Sequence, residues 1–189
     1  MANNCFYDMR VAGKKETVES VIEFVKNHSY DGCDVYDENE SSTEYEKDVF
    51  INGDVKWSVM TAWNTDKYYD QSRTSFAITT SKGEKVAGVT DTELQERIMR
   101  AEEERRKGPS ILDFKDDINI EIYSEESGMG FAEHFIIKNG EIVVDDTRHF
   151  SEIYNEENDT IIRKGGYAVY DFDFNPDKEI PTYNNYIER

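Results

Sequence analysis

The sequence predicts an α+β fold: an antiparallel sheet with two helices on one face, in the order β-α-β-β-α-β, and a C-terminal β-hairpin extension. Three observations lead there. Short runs that are apolar at every second position alternate with two runs whose apolar residues fall at helical spacing. Thr90-Asp-Thr-Glu93 has the form of a capping box, which fixes where the second helix opens. Asn139-Gly140 stands between two apolar runs, as in a tight hairpin.

The elements follow in chain order. Residues 4–12 read as a strand, with Cys5, Tyr7, Met9 and Val11 toward the core and Phe6, Asp8 and Arg10 outward. In the next run, Val18, Val21, Ile22 and Val25 make one helical stripe. Residues 29–48 carry eight acids (Asp31, Asp34, Asp37, Glu38, Glu40, Glu44, Glu46, Asp48) against Lys47, and read as an exposed acidic loop. Asn52-Gly53-Asp54 then reads as a hairpin turn leading into a second strand, VKWSVMTAW. Residues 64–72 form a polar connection and residues 73–80 a third strand. The second helix runs to about Lys107, where Arg105, Arg106 and Lys107 suit the negative end of its dipole and Gly108-Pro109 stops it.

Ile118, Ile120 and Ile122 then mark one face of a strand, with Asn119 and Glu121 on the other. Gly128-Met-Gly130 leads to FAEHFII, and EIVV returns after Asn139-Gly140. TIIRKGGYAVYDFDF adds a last strand or two, and the tail from Pro176 reads as loosely packed. The element order is that of a ferredoxin-like split βαβ sandwich. The chain divides into a ferredoxin-like domain over 1–146, which includes the hairpin and the acidic loop 29–48, and an acidic β extension and tail over 147–189.

Charge limits the function classes. Forty-one Asp and Glu face 22 Lys and Arg, a net charge of −19 at pH 7. Phosphate affinity comes from Lys and Arg, so direct nucleic-acid binding is disfavoured, and anionic membranes are repelled as well. The surplus acid keeps the protein soluble, faces a basic partner, or binds cations. Aromatic residues make up 13% of the chain, which marks a folded acidic protein and not a disordered one. Cys5 and Cys33 read as reduced thiols of a cytoplasmic protein. No signal-peptide pattern opens the sequence, and no apolar run approaches the ~18–20 residues that span a membrane.

The candidate chemistries are weak. Asp171, Asp173, Asn175, Asp177 and Glu179 space oxygen ligands as in a calcium loop, but Pro176 and Thr182 stand where an EF-hand needs Gly and Glu. His28, His134 and His149 are scattered, and Glu133 and His134 would point to opposite faces of a strand, so no zinc set forms. Asp145-Asp146 with Glu125-Glu126 could hold metal for a nuclease, yet such an enzyme needs a basic surface for its substrate. The expectation is a protein that is not an enzyme, with no catalytic residue, metal or cofactor. The candidate partner-binding residues are Asp31, Asp34, Tyr36, Asp37, Glu38, Glu40, Glu44 and Glu46, with Asp145 and Asp146 of the second acidic stretch. Tyr30, Tyr36 and Tyr45 stand among the acids of the first stretch, and tyrosine supplies contact area at interfaces.

Four segments carry a family resemblance: the opening NCFYDMRVAG with its helix, WSVMTAW, the helix before the alternating-Ile strand, and EIYSEESGMGFAEHFIIKNGEIV. Over roughly residues 4–144 the chain resembles the YubB-type ferredoxin-like proteins of plasmids, phages and other mobile elements. The resemblance implies a fold and a mobile-element setting, and supplies no catalytic residues. Small acidic proteins from that setting often look like inhibitors of host defence. The expected function is therefore an acidic anti-CRISPR-like inhibitor. Its partner would be a basic nucleic-acid-binding protein such as a CRISPR effector nuclease, Cas9 foremost, whose nucleic-acid binding or cleavage it would block. The alternative is a non-enzymatic housekeeping or structural module that binds its own protein partner. The sequence leaves oligomeric state open.

Overall fold

In the computed structural model, residues 4–37, 46–65, 96, 100–101, 103–156, 160–183 and 186–188 are described. Alternation of apolar residues makes β1, Asn4–Lys14. Gly13, in the left-handed region at φ +148°, lets its end pass against the Asp117 carbonyl. Helix α1, Lys15–His28, buries Val18, Val21, Ile22, Phe24 and Val25, and carries Glu16 in its first turn and Lys26 in its last, matching its dipole. Strands β2 (Cys33–Asp37) and β3 (Glu46–Lys56) follow, then a four-residue helix α2 (Val59–Ala62) and a 3₁₀ turn at Ile111–Asp113. Strands β4 (Ile118–Glu126), β5 (Phe131–Lys138), β6 (Glu141–Asn155), β7 (Thr160–Gly165) and β8 (Tyr186–Glu188) complete the order.

The ferredoxin-like expectation, a short sheet under two helices, is corrected. Among the described residues eight strands form one antiparallel sheet in the order β2-β3-β1-β4-β5-β6-β7-β8. Among the described residues α1 is the one long helix. The predicted strand 73–80 and the start of the predicted second helix lie outside the described residues, and residues 103–106 are helical. The sheet grows because the stretch read as an appended extension continues its pairing: β6 runs unbroken through residue 146 and on to Asn155.

Two local expectations also fail. Asn52-Gly53-Asp54 is not a turn but the middle of β3. Gly53 is required there by close packing, since a Cβ would sit 2.7 Å from the Tyr7 hydroxyl and 2.8 Å from the Gly32 carbonyl oxygen. WSVMTAW is not a strand. The chain turns at Trp57, and Ser58 caps α2 by accepting from the Thr61 N–H. Trp63 then inserts edge-on against Tyr7, with ring centroids 4.7 Å apart. Asn139-Gly140 does make the predicted hairpin, with φ +50° and +79° as a type I′ turn demands.

Both faces of the sheet carry packed residues, the second face only in part. On the first face Tyr7, Met9, Val11, Ile51, Ile118, Ile120, Ile122, Phe135 and Ile137 pack with α1, Trp63 and Leu112. Residues 167–183 cross the second face as a strap, where Tyr123, Ala132, Phe150, Tyr167 and Ile180 form a smaller core. The tail read as loosely packed is therefore fixed in part. Ile180 is buried, the Ala168 N–H donates to the Pro181 carbonyl, and the Gly165 N–H donates to the Tyr183 carbonyl. The strap also buries Glu121, which alternation alone had placed on an open face.

Candidate functional site: an acidic edge and a strapped face

Register fixes what shares the second face. One row of paired residues runs Tyr36, Phe50, Arg10, Glu121 from β2 to β4; the next runs Asp34, Asn52, Asp8, Tyr123, then His134 and Asp146 on β5 and β6. The strap covers the β4–β6 part of these rows and reaches Arg10 of β1. Phe172 also reaches Phe50 of β3, edge-on with ring centroids 5.3 Å apart, so among the described residues it is β2 that stays open: Asp34 and Tyr36 are exposed on it, and Phe6 of β1 is 62% exposed.

Under the strap the contacts are polar at their centre and aromatic around it. Glu121 and His134 are buried, with His134 Nε2 3.0 Å from Glu121 Oε1. The second carboxylate oxygen of Glu121 accepts from the Phe174 N–H at 2.7 Å. Tyr123 stacks on His134 on one side (centroids 4.2 Å, planes 9° apart) and on Tyr170 on the other (4.7 Å, 12°). Its hydroxyl donates toward Glu121 and the Asp171 carbonyl, and burial raises its pKa. Arg10 donates to the Phe172 carbonyl at 2.7 Å and pairs with Asp48 through two nitrogens. Arg148 donates to the Ile180 carbonyl, and Arg163 pairs with Glu125. These groups are engaged in holding the strap and sheet together.

The supposed calcium loop is filled by a side chain. Lys178 Nζ lies 2.5 Å from Asp171 and 2.7 Å from Asp173, so an ammonium group sits between the carboxylates, and it holds Asp173 below the usual carboxylate pKa. Among the described residues no group of three or more His, Cys, Asp or Glu is placed to hold a metal ion. Glu126 accepts from the N–H groups of Gly128 and Met129 as a turn cap. Burial pushes the Cys5 thiol up to about 12, which leaves it protonated and a poor nucleophile. Among the described residues no helix is long and apolar enough to cross a membrane.

The predicted partner-binding residues separate into two places. Asp31 lies in the exposed turn after α1, Asp34 and Tyr36 project from β2, Asp37 ends β2 and Glu46 begins β3. Glu38, Glu40 and Glu44 lie outside the described residues. The stretch is thus not all loop, because Cys33–Asp37 pairs with β3 as an edge strand. Asp145 and Asp146 lie on β6, five strands away, about 24 Å at ~4.8 Å per strand. Asp145 is exposed, while Asp146 pairs with Arg148 at 2.8 Å and its carbonyl accepts from the Tyr167 hydroxyl. The two acidic stretches do not form one patch.

Beside the first stretch the sequence pointed to Tyr30, but it placed Trp57 within a strand. Tyr30 is exposed and stacks on Lys56, whose ammonium is 3.2 Å from the ring centroid. Trp57 is half exposed with φ +72°, a left-handed conformation that costs a non-glycine residue about 1–3 kcal/mol. Asp8 was read only as outward-facing. Burial beside the strap, and then the charge of Glu125, raise its pKa. The period-two pattern had put Phe6, Asp8 and Arg10 on one face; what pairs with them required the register.

Glu133 gives a pH prediction. It is buried on the first face, accepts from the Val59 N–H (3.0 Å) and the Ser124 hydroxyl (2.8 Å), and its pKa is raised, chiefly by desolvation. The folded state therefore holds this proton more tightly than the unfolded chain. Its contribution is most favourable below the unfolded pKa and is lost as pH rises through the folded one. Glu133→Gln removes that dependence. Urea denaturation of both proteins from pH 4 upward is expected to show the variant gaining stability relative to the parent as pH rises. A constant difference between the two curves contradicts this.

The chain matches no family model, and no curated protein or solved structure matches it.

Proposed function

We propose that this chain is an acidic inhibitor from a phage or mobile element. Its partner is a basic nucleic-acid-handling protein of host defence, an RNA-guided CRISPR nuclease with Cas9 foremost, and it blocks nucleic-acid binding or cleavage. The observation that carries the reading is the open β2 edge, where Asp31, Asp34 and Tyr36 are exposed together on a chain of net charge −19. Carboxylates there meet Arg and Lys of a groove that otherwise holds phosphate, and the acidic field speeds encounter with a basic surface. Tyr36 supplies the contact area that carboxylates lack. Asp145 and Asp146 contribute to the field and not to the same contact.

The test is a pull-down against purified CRISPR nucleases with and without guide RNA, followed by DNA cleavage. A complex that weakens with salt and suppresses cleavage is expected. Tyr36→Ala is expected to cost about 2 kcal/mol of binding, as interface aromatics do. Asp31→Asn with Asp34→Asn should flatten the salt dependence, and Asp145→Asn with Asp146→Asn should change it less. No complex with any effector type, or a complex indifferent to the β2 substitutions, overturns the reading.

A further inference from the structure

The same edge carries a more specific inference, which rests on the basic-partner reading. Strand β2 is the end of the sheet, and among the described residues no strand lies on its outer side. Natural sheets protect such an edge with charged side chains, Lys above all, with Pro, a bulge or a very short strand. The charges of β2 are Asp34 and Asp37, which deter an acidic strand and not a basic one. β2 has the sequence CDVYD, with neither Lys nor Pro, and its five pairs with β3 run without a register shift. At the other end of the sheet, by contrast, β8 has three residues.

The two faces of β2 ask for different neighbours. Asp34 and Tyr36 stand exposed on the second face. Cys33 and Val35 point the other way and are partly buried against the main core, which stops at this edge. An added strand would lay alternate side chains beside each set. Beside Asp34 and Tyr36 the complementary group is a Lys or Arg, which meets a carboxylate and an aromatic face. Beside Cys33 and Val35 it is an apolar side chain, which lengthens the core.

We propose that β2 receives an extended segment of the basic partner as a ninth strand, its side chains alternating between Lys or Arg and an apolar residue. Main-chain hydrogen bonds give the attachment, and the alternation gives the selectivity. A second copy of this chain is a poor occupant, because both edges would bring the same carboxylates together.

The test uses the full chain and two synthetic probes: an eight-residue peptide of alternating Arg and Val, and the same peptide N-methylated along one hydrogen-bonding edge. The expected result is slowed amide exchange within Cys33–Asp37 on adding the first peptide. Binding of the methylated copy should be weaker by about tenfold or more, since each amide–carbonyl bond contributes about a fivefold factor. Equal binding of the two peptides, protection elsewhere, or no binding overturns strand addition. Concentration-dependent protection of the same amides in the protein alone assigns the edge to a second copy and also overturns it. The two readings fail separately. A CRISPR nuclease that binds without protecting β2 overturns only the ninth strand. Protection by the peptide, with no nuclease bound, supports strand addition and overturns the nuclease as partner.

Discussion

Tyr123→Ala is expected to destabilise the protein by about 3–5 kcal/mol, the range for emptying a buried aromatic site. Tyr123 is fully buried and touches four rings: it stacks on His134 and Tyr170 and meets Tyr167 and Phe172 edge-on. Three of those rings belong to the strap, so the cavity cannot be closed by a shift of the sheet alone. Loss of the hydroxyl also removes a donor to the Asp171 carbonyl. Urea denaturation measures the change. Amide exchange across 167–183 should accelerate more than exchange in β1 or α1, because the main core lies on the opposite face. A loss below about 1 kcal/mol would mean that the strap is held without the stack.

Glu121→Ala is expected to cost a similar amount, about 3–5 kcal/mol, because it leaves buried partners unsatisfied. The Phe174 N–H loses its acceptor, and His134 Nε2 loses the oxygen 3.0 Å away. Glu121→Gln keeps an acceptor for one of them and should cost less than the alanine variant. Tyr123 and Glu121 share the strap, so their effects should not add: the double variant is expected to lose clearly less than the sum of the singles. Additivity within about 0.5 kcal/mol would show two independent attachments. Midpoints and slopes for the four proteins decide between these outcomes.

Local structure was legible in the sequence wherever one physical demand dominated. Period-two alternation gave the first strand and its inward set, Cys5, Tyr7, Met9 and Val11, all buried. Helical spacing gave α1, and Asn139-Gly140 gave the hairpin it marks. Reading failed where a tertiary contact overrode a local signal. Asn52-Gly53 has the composition of a turn, but Gly53 is needed because Tyr7 and Gly32 crowd that point of β3. WSVMTAW alternates like a strand, but Trp63 is buried against Tyr7 only if Ser58 starts a helical turn.

The architecture was less legible than its parts. Glu121 and His134 look like solvent-facing members of their strands, and only the strap some forty residues later in the chain makes them interior. Aromatic spacing in YAVYDFDF mimicked a strand, whereas Tyr170 and Phe172 cross the sheet and pack on Tyr123. Of the candidate site, the acids and Tyr36 were visible as composition. That Asp34 and Tyr36 share one face of an edge strand, far from Asp145, needed the strand order.

The strap has a consequence for the order in which the molecule is made. Arg10 closes on the Phe172 carbonyl across 162 positions of the chain, so Arg10 and the rows beside it emerge from the ribosome well before the strap. Bringing such distant segments together is slow, because the loop must close before its contacts stabilise it. At about 5–20 residues per second, some 2–10 s pass between synthesis of His134 and of the strap that covers it. During that interval a nascent chain presents Phe50, Tyr123 and His134 on an uncovered sheet face. This is the surface a chaperone would meet, and it stays open until residues 167–183 arrive.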